Sequence, residues 1–163
     1  VHNTPVRLRT RSAAWRREMM TTILAPLRDF GPDLIVISAG FDAHAHDPLE
    51  AGGLHDRDYE WMTSELVRIG EACASGRIVS VLEGGYQISG GFASSLSRAV
   101  GSHVSSLNQP SLSGATWTAA EASARLEAAL EFEDRWLTQR AQAAQAATLA
   151  GMPAPLPTQD DGA

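Results

Sequence analysis

The sequence predicts an α/β fold with a parallel sheet, and three observations predict it. Leu34-Ile35-Val36-Ile37-Ser38-Ala39 and Arg77-Ile78-Val79-Ser80-Val81-Leu82-Glu83 are short apolar runs rich in β-branched residues. Each feeds a glycine-bearing loop that carries polar or aromatic side chains. A helical pattern lies between them. Strand, helix and strand make a βαβ unit, almost always right-handed, whose parallel strands open their loops on one edge of the sheet. Open α/β folds bind ligands at that edge. The first run shows no polar alternation before Ser38, which predicts a central strand covered on both faces.

The elements follow in order. Residues 1–11 are polar and basic, are broken by Pro5, and read as a loop. Trp15, Met19, Ile23 and Leu27 then recur at every fourth position, with Met20 and Leu24 beside them, so an amphipathic helix is expected. Pro26 kinks it or begins a second short turn, and Gly31-Pro32 stops it. After the first strand a loop runs through Gly52-Gly53, and Asp56 or Asp58 is expected to cap the next helix. Its inner face is Met62, Leu66, Ile69 and Cys73, with Trp61 on the flank, and Ser75-Gly76 ends it. Past the second strand, Gly90-Gly91 precedes a helix with Phe92, Leu96, Val100 and Leu107 on one side. Residues 108–116 form a Pro/Ser/Gly loop. Residues 118–149 are alanine-rich and helical; Leu126, Leu130, Glu133 and Leu137 share a face beside Trp136. The glutamate interrupts that stripe, so only partial burial is expected. The tail beyond Gly151 is proline-rich, then acidic, and is expected to be disordered.

The 163 residues suit one domain, and 44% apolar content is ordinary for a globular protein. A net charge of −6 and a pI near 5.3 argue against nucleic acid as a partner, and serve solubility. The single cysteine, Cys73, excludes an internal disulfide framework and reads as a buried thiol in a helix. No apolar run reaches the ~20 residues a membrane span needs. The start shows no signal-peptide pattern, so a cytoplasmic setting is expected. The chain opens on Val1 in what reads as a loop in mid-course, the expectation being a piece of a longer protein.

Chemistry concentrates where the two strands end. Asp42 follows a glycine just beyond the first strand, a place that suits a metal-ligating or basic carboxylate and equally an Asx-turn. Asp47 precedes Pro48, where its carboxylate can accept from backbone N–H groups and shape the loop. His44 and His46 are two apart and point the same way on an extended segment. They are open to joint metal ligation, although solvated or rim positions are commoner for loop histidines. After the second strand, Gly84-Gly85 allows close approach of backbone to a ligand, and Glu83 is expected to support the turn. Tyr86 then presents a phenol that can donate to an oxygen gaining negative charge, or can pack as an ordinary loop aromatic.

Together these residues carry a resemblance. Ser38-Ala39-Gly40-Phe41-Asp42-Ala43-His44-Ala45-His46-Asp47-Pro48-Leu49 resembles a signature segment of the histone deacetylase family, of the class II and bacterial type. Leu82-Glu83-Gly84-Gly85-Tyr86 resembles that family's catalytic-tyrosine loop. Val1-His2-Asn3-Thr4-Pro5 is similar to the segment before its long helix. The resemblance covers residues 1–107 and implies a three-layer arginase/deacetylase-like α/β fold, incomplete in this chain. A helical extension over 108–150 and the tail over 151–163 follow it. It implies a zinc-dependent amidohydrolase acting on an acetyl-lysine-type amide, with zinc held by two aspartates and a histidine. Asp42 matches the last of those ligands, Tyr86 matches the tyrosine that polarises the substrate carbonyl, and Asp47 matches an acidic position that is not a standard ligand.

The family's Asp-x-His ligand segment and its paired histidines, which serve as general base and acid, are not found before Asp42. The expectation is therefore a carboxyl-terminal piece that alone neither holds zinc tightly nor turns over. Two other readings stand beside it: a truncated, non-catalytic relative acting as a binding module, and a deacetylase of acetylpolyamine-type small molecules. The alanine- and arginine-rich composition argues against a histone substrate. Neither a membrane nor a nucleic acid is expected as partner.

Overall fold

Two apolar runs pair as parallel strands: β1 (Ile35–Ala39) and β2 (Ile78–Leu82), with Ile35 opposite Ile78 and Ala39 opposite Leu82. Residues 1–5, 7, 10–49, 52–90 and 93–149 are described by the computed structural model. The expected readings of Gly91, Phe92 and the tail beyond Gly151 lie outside the described residues.

Helix α3 (Asp56–Ala74) makes the crossover between the strands. His55, and neither predicted aspartate, is its N-cap residue. Asp58 instead sits at the third helical position and accepts the His55 backbone N–H at 2.8 Å, satisfying one orphan donor from inside the helix. The helix ends on Ser75 and Gly76, both in the left-handed region. Leu66 and Ile69 are buried and join Ile35 in the main core, with Met62, Cys73 and Trp61 packed around them.

The amino-terminal helix is built in three parts: α1 (Ser12–Met19), a π-helical turn (Met20–Leu24) and α2 (Ala25–Phe30). Pro26 brings no N–H to the ladder, and the wider turn lies just before it. Met20 and Leu24, expected only to flank the apolar stripe, are its most buried members together with Arg16, whereas Trp15, Ile23 and Leu27 are half-buried. The inner face is thus rotated by one residue, and it carries a guanidinium.

Helix α4 (Ser95–Leu107) starts on Ser94, whose hydroxyl accepts the Ser97 N–H at 3.1 Å. Its buried face is small and polar, namely Ser95, Ala99, His103 and Ser106, with Leu96 and Val100 half-buried. His103 bridges the layers: Nδ1 meets Thr63 Oγ1 at 2.7 Å and Nε2 meets Ser80 Oγ at 2.8 Å. Thr63 already donates to the Tyr59 carbonyl, so His103 donates from Nδ1 and accepts from Ser80 at Nε2.

Helix α5 (Ala119–Leu149) opens with Thr118 and Glu121 in a reciprocal cap: Thr118 Oγ1 accepts the Glu121 N–H and donates to its carboxylate. Ala122 and Leu126 enter the main core beside Trp117. Glu133, which interrupts the apolar stripe, reaches Arg16 at 2.9 Å. Arg16 also donates to Asp58 at 2.7 Å, and both groups are fully buried. The interruption is therefore a docking contact between α5 and the domain's own helix.

All helices that touch the sheet cover one face. Ile35 and Ala39 are buried, while Val36 and Val81, on the opposite face, are 64% and 52% exposed. The two-sided cover expected for β1 is thus one-sided among the described residues: its side chains alternate between faces, and only one has a helical layer against it. Among the described residues no helix is long and apolar enough to cross a membrane.

Candidate active site

The two strands leave the sheet side by side. Pairing continues past their ends, with Glu83 N–H donating to the Ala39 carbonyl at 2.9 Å and Phe41 N–H to the Gly84 carbonyl at 2.8 Å. Both loops therefore start from the same edge. Ser38 Oγ donates to the Glu83 carboxylate, tying the turn to β1.

Asp42 is half-buried, and its carboxylate lies directly against Gly84. A Cβ at Gly84 would stand 2.8 Å from Asp42 Cγ. Among the described residues that carboxylate accepts no hydrogen bond, so it does not form the Asx-turn that the sequence left open. Gly85 has φ of +126°, and a Cβ there would sit 2.5 Å from Leu96 Cδ1. The two glycines thus do different things: the first admits a carboxylate, and the second lets the chain turn over α4.

Tyr86 comes next, 54% exposed. Its backbone N–H donates to Asp47 Oδ2 at 2.7 Å, across 39 positions of sequence. Asp47 Oδ1 accepts the Leu49 N–H at 3.0 Å. Asp47 is 3% exposed. Through these two bonds it joins the two loops.

The histidines diverge in use. His44 is buried, with Nδ1 accepting the His46 backbone N–H at 3.0 Å and Nε2 facing Asp56 Oδ1 at 3.2 Å. It is therefore the Nε2–H tautomer, and both ring nitrogens are engaged. Its ring stacks on Tyr59, with centroids 6.4 Å apart and planes 6° apart. His44 is a structural ring and does not join His46 as a ligand. Arg98 Nε completes the arrangement at 2.9 Å from Asp56 Oδ2. Burial by itself would raise the Asp56 carboxyl, but the hydrogen bonds of His44 and Arg98 hold it below its ordinary value. His55 is pushed down, chiefly by burial.

Tyr59 packs beside the residue before Asp42. Its hydroxyl donates to the Phe41 carbonyl at 3.2 Å, and its ring packs on Phe41. Its phenol is pushed well up, first by burial and then by the charge of Asp42. Sequence reasoning passed over Tyr59 and Arg98 and read Asp56 only as a helix cap, because single residues on helices carry no spacing signal until the fold brings them to the loop. A cavity of ≈ 510 Å³ opens beside this cluster, between His44, Asp56, Arg98 and Trp136 of α5, but neither Asp42 nor Tyr86 lines it.

The described residues do not bring together the donor set of a catalytic zinc. A catalytic zinc takes three protein ligands. Among the described residues no three His, Cys, Asp or Glu side chains come together to hold a metal. Asp42 has the chemistry of one ligand, a carboxylate free of other bonds at the strand edge, and the set is not completed here.

The model of the histone deacetylase domain matches residues 1–107 of the sequence. The chain belongs to the histone deacetylase family. It is 38% identical over 105 residues to the type-2 histone deacetylase 2 of Dictyostelium discoideum, covering 64% of this chain and 6% of that protein. It is 42% identical over 73 residues to a histone deacetylase-like amidohydrolase of Pseudomonas aeruginosa, covering 45% of this chain and 19% of the other. Among solved structures it resembles the HDA15 HD domain, with a TM-score of 0.51 and 27% identity, over 66% of this chain and 27% of that one. The chain thus spans a minor part of each of these relatives. Its fold is the arginase/deacetylase-like α/β type, present in part: the described residues supply one parallel pair and the helices on one face.

Proposed function

We propose that this chain is the carboxyl-terminal part of a zinc-dependent deacetylase domain that hydrolyses an acetyl-lysine-type or related amide. The observation that carries the reading is the shared sheet edge, where the Asp42 carboxylate lies free against Gly84, two residues before Tyr86. In this reading Asp42 is one zinc ligand and the other two come from sequence outside the chain. When bound, zinc lowers the pKa of its water to about 7 and polarises the amide oxygen.

The part played by this chain is specific. Tyr86 is half exposed, so its phenol is available to a substrate at the loop edge. Its O–H donates to the carbonyl oxygen as that oxygen gains negative charge, the kind of preorganised donor worth about 3 kcal/mol. Gly84 and Gly85 let the backbone run close beneath it. With one ligand of three, the chain alone neither retains zinc nor turns over.

The test uses the full-length protein, assayed on an acetyl-lysine peptide and on an acetylpolyamine. Tyr86→Phe is expected to lower kcat by about 10²–10³ with zinc retained. Asp42→Asn is expected to abolish turnover. Full activity of both variants would reject the assignment. Preference for the acetylpolyamine would keep the chemistry and change the substrate class.

A further inference from the structure

We propose that Asp47 is the positioning residue for Tyr86: its buried carboxylate holds the tyrosine's main chain and so sets where the phenol points. This inference rests on the deacetylase reading and adds a residue to it.

The Tyr86 hydroxyl has no partner among the described residues, and the side chain is half exposed. Its position therefore depends on the backbone that carries it. That backbone is irregular from Glu83 to Gly90 and includes left-handed glycines at 85 and 90. Below it, Gly84 is fixed by the Phe41 hydrogen bond. At Tyr86 itself, the bond across to the other loop among the described residues is the 2.7 Å contact with Asp47 Oδ2.

The donor and acceptor are matched for firmness. Asp47 is almost wholly buried, and each oxygen takes one backbone N–H, from Tyr86 and from Leu49. Charge-assisted bonds of this kind are about twice as strong as neutral ones. Leu49 and Pro48 place the carboxylate through an Asx-type turn, which fixes the Asp47 side chain before it reaches Tyr86. Asparagine at 47 offers one acceptor oxygen for two donors, and its NH₂ would face an N–H. The phenol would then lose its fixed position while the rest of the loop keeps its shape.

The experiment is a double-mutant cycle in the full-length protein, reading kcat, KM and zinc content. Asp47→Asn is expected to lower kcat by about ten- to hundredfold, with KM within about twofold and zinc retained. In the Tyr86→Phe background the same substitution is expected to change kcat no further, because its effect passes through the phenol. An unchanged kcat in Asp47→Asn, or an equal fall in both backgrounds, would overturn the proposal. If Tyr86→Phe itself leaves turnover intact, the deacetylase reading fails and this inference with it. If only the Asp47 change is silent, the reading stands and the inference alone falls. Should Asp47→Asn not fold, amide hydrogen exchange of the parent decides: protection of the Tyr86 N–H supports the bond, and exchange at the unprotected rate refutes it.

Discussion

Gly84 shows how a residue without a side chain can determine a site. A methyl group there would press on the Asp42 carboxylate at 2.8 Å, and the carboxylate could make room only by leaving its place at the strand edge. Gly84→Ala is expected to cost about 1–3 kcal/mol and to lower zinc affinity, read by urea unfolding and by metal titration of the full-length protein. His103 carries a different prediction. Burial pushes its pKa below the ordinary 6.5, so the folded ring stays neutral where an unfolded one takes a proton. Its contribution is complete above pH 6.5 and is lost as pH falls through the lowered folded value. His103→Gln is expected to flatten the acid side of the stability curve, measured by urea unfolding across pH. At this scale the sequence was legible where spacing carries meaning. Asp42, Asp47 and the Gly84-Gly85-Tyr86 run stand in short motifs at strand ends and could be picked out. The roles of Tyr59, Asp56 and Arg98 at the loop could not, because they arise only when α3 and α4 are folded against it.

Periodicity located the helices and both strands, and its misses have physical causes. The buried stripe of the first helix lies one residue from the expected one already in α1, before the five-residue π turn that precedes Pro26. Arg16 falls on the inner face, where Asp58 and Glu133 neutralise it. A hydrophobicity pattern reads arginine as outward, so this network was invisible until the partners, 42 and 117 positions away, came together. Arg16→Met is expected to cost about 3–5 kcal/mol by stranding the buried Asp58 carboxylate. The exposed Arg17–Glu127 pair is a control, since its removal is expected to leave the urea midpoint nearly unchanged. Glu133 broke the apolar stripe of α5 in the sequence, and the same glutamate anchors that helix to α1.

On the scale of the molecule, the outer face of the sheet is the unfinished part. Val36, Val79 and Val81 stay exposed although the strands are as apolar as those covered on both sides. The continuous apolar run was therefore read correctly as a strand and overread as to its cover. Adding to the sheet the layer that a complete domain supplies would bury these valines. The isolated chain is expected to bind a hydrophobic dye strongly and the full-length protein weakly, a difference read by fluorescence. In the proposed reading the same holds for the metal: a single carboxylate at the strand edge calls for two more ligands, which the described residues do not bring together. The most direct measurement is bound zinc per molecule in the full-length protein, its Asp42→Asn variant and its Tyr86→Phe variant. One zinc is expected in the parent, a clear deficit in Asp42→Asn, and the parent's full zinc content in Tyr86→Phe. Full zinc occupancy of Asp42→Asn would contradict it.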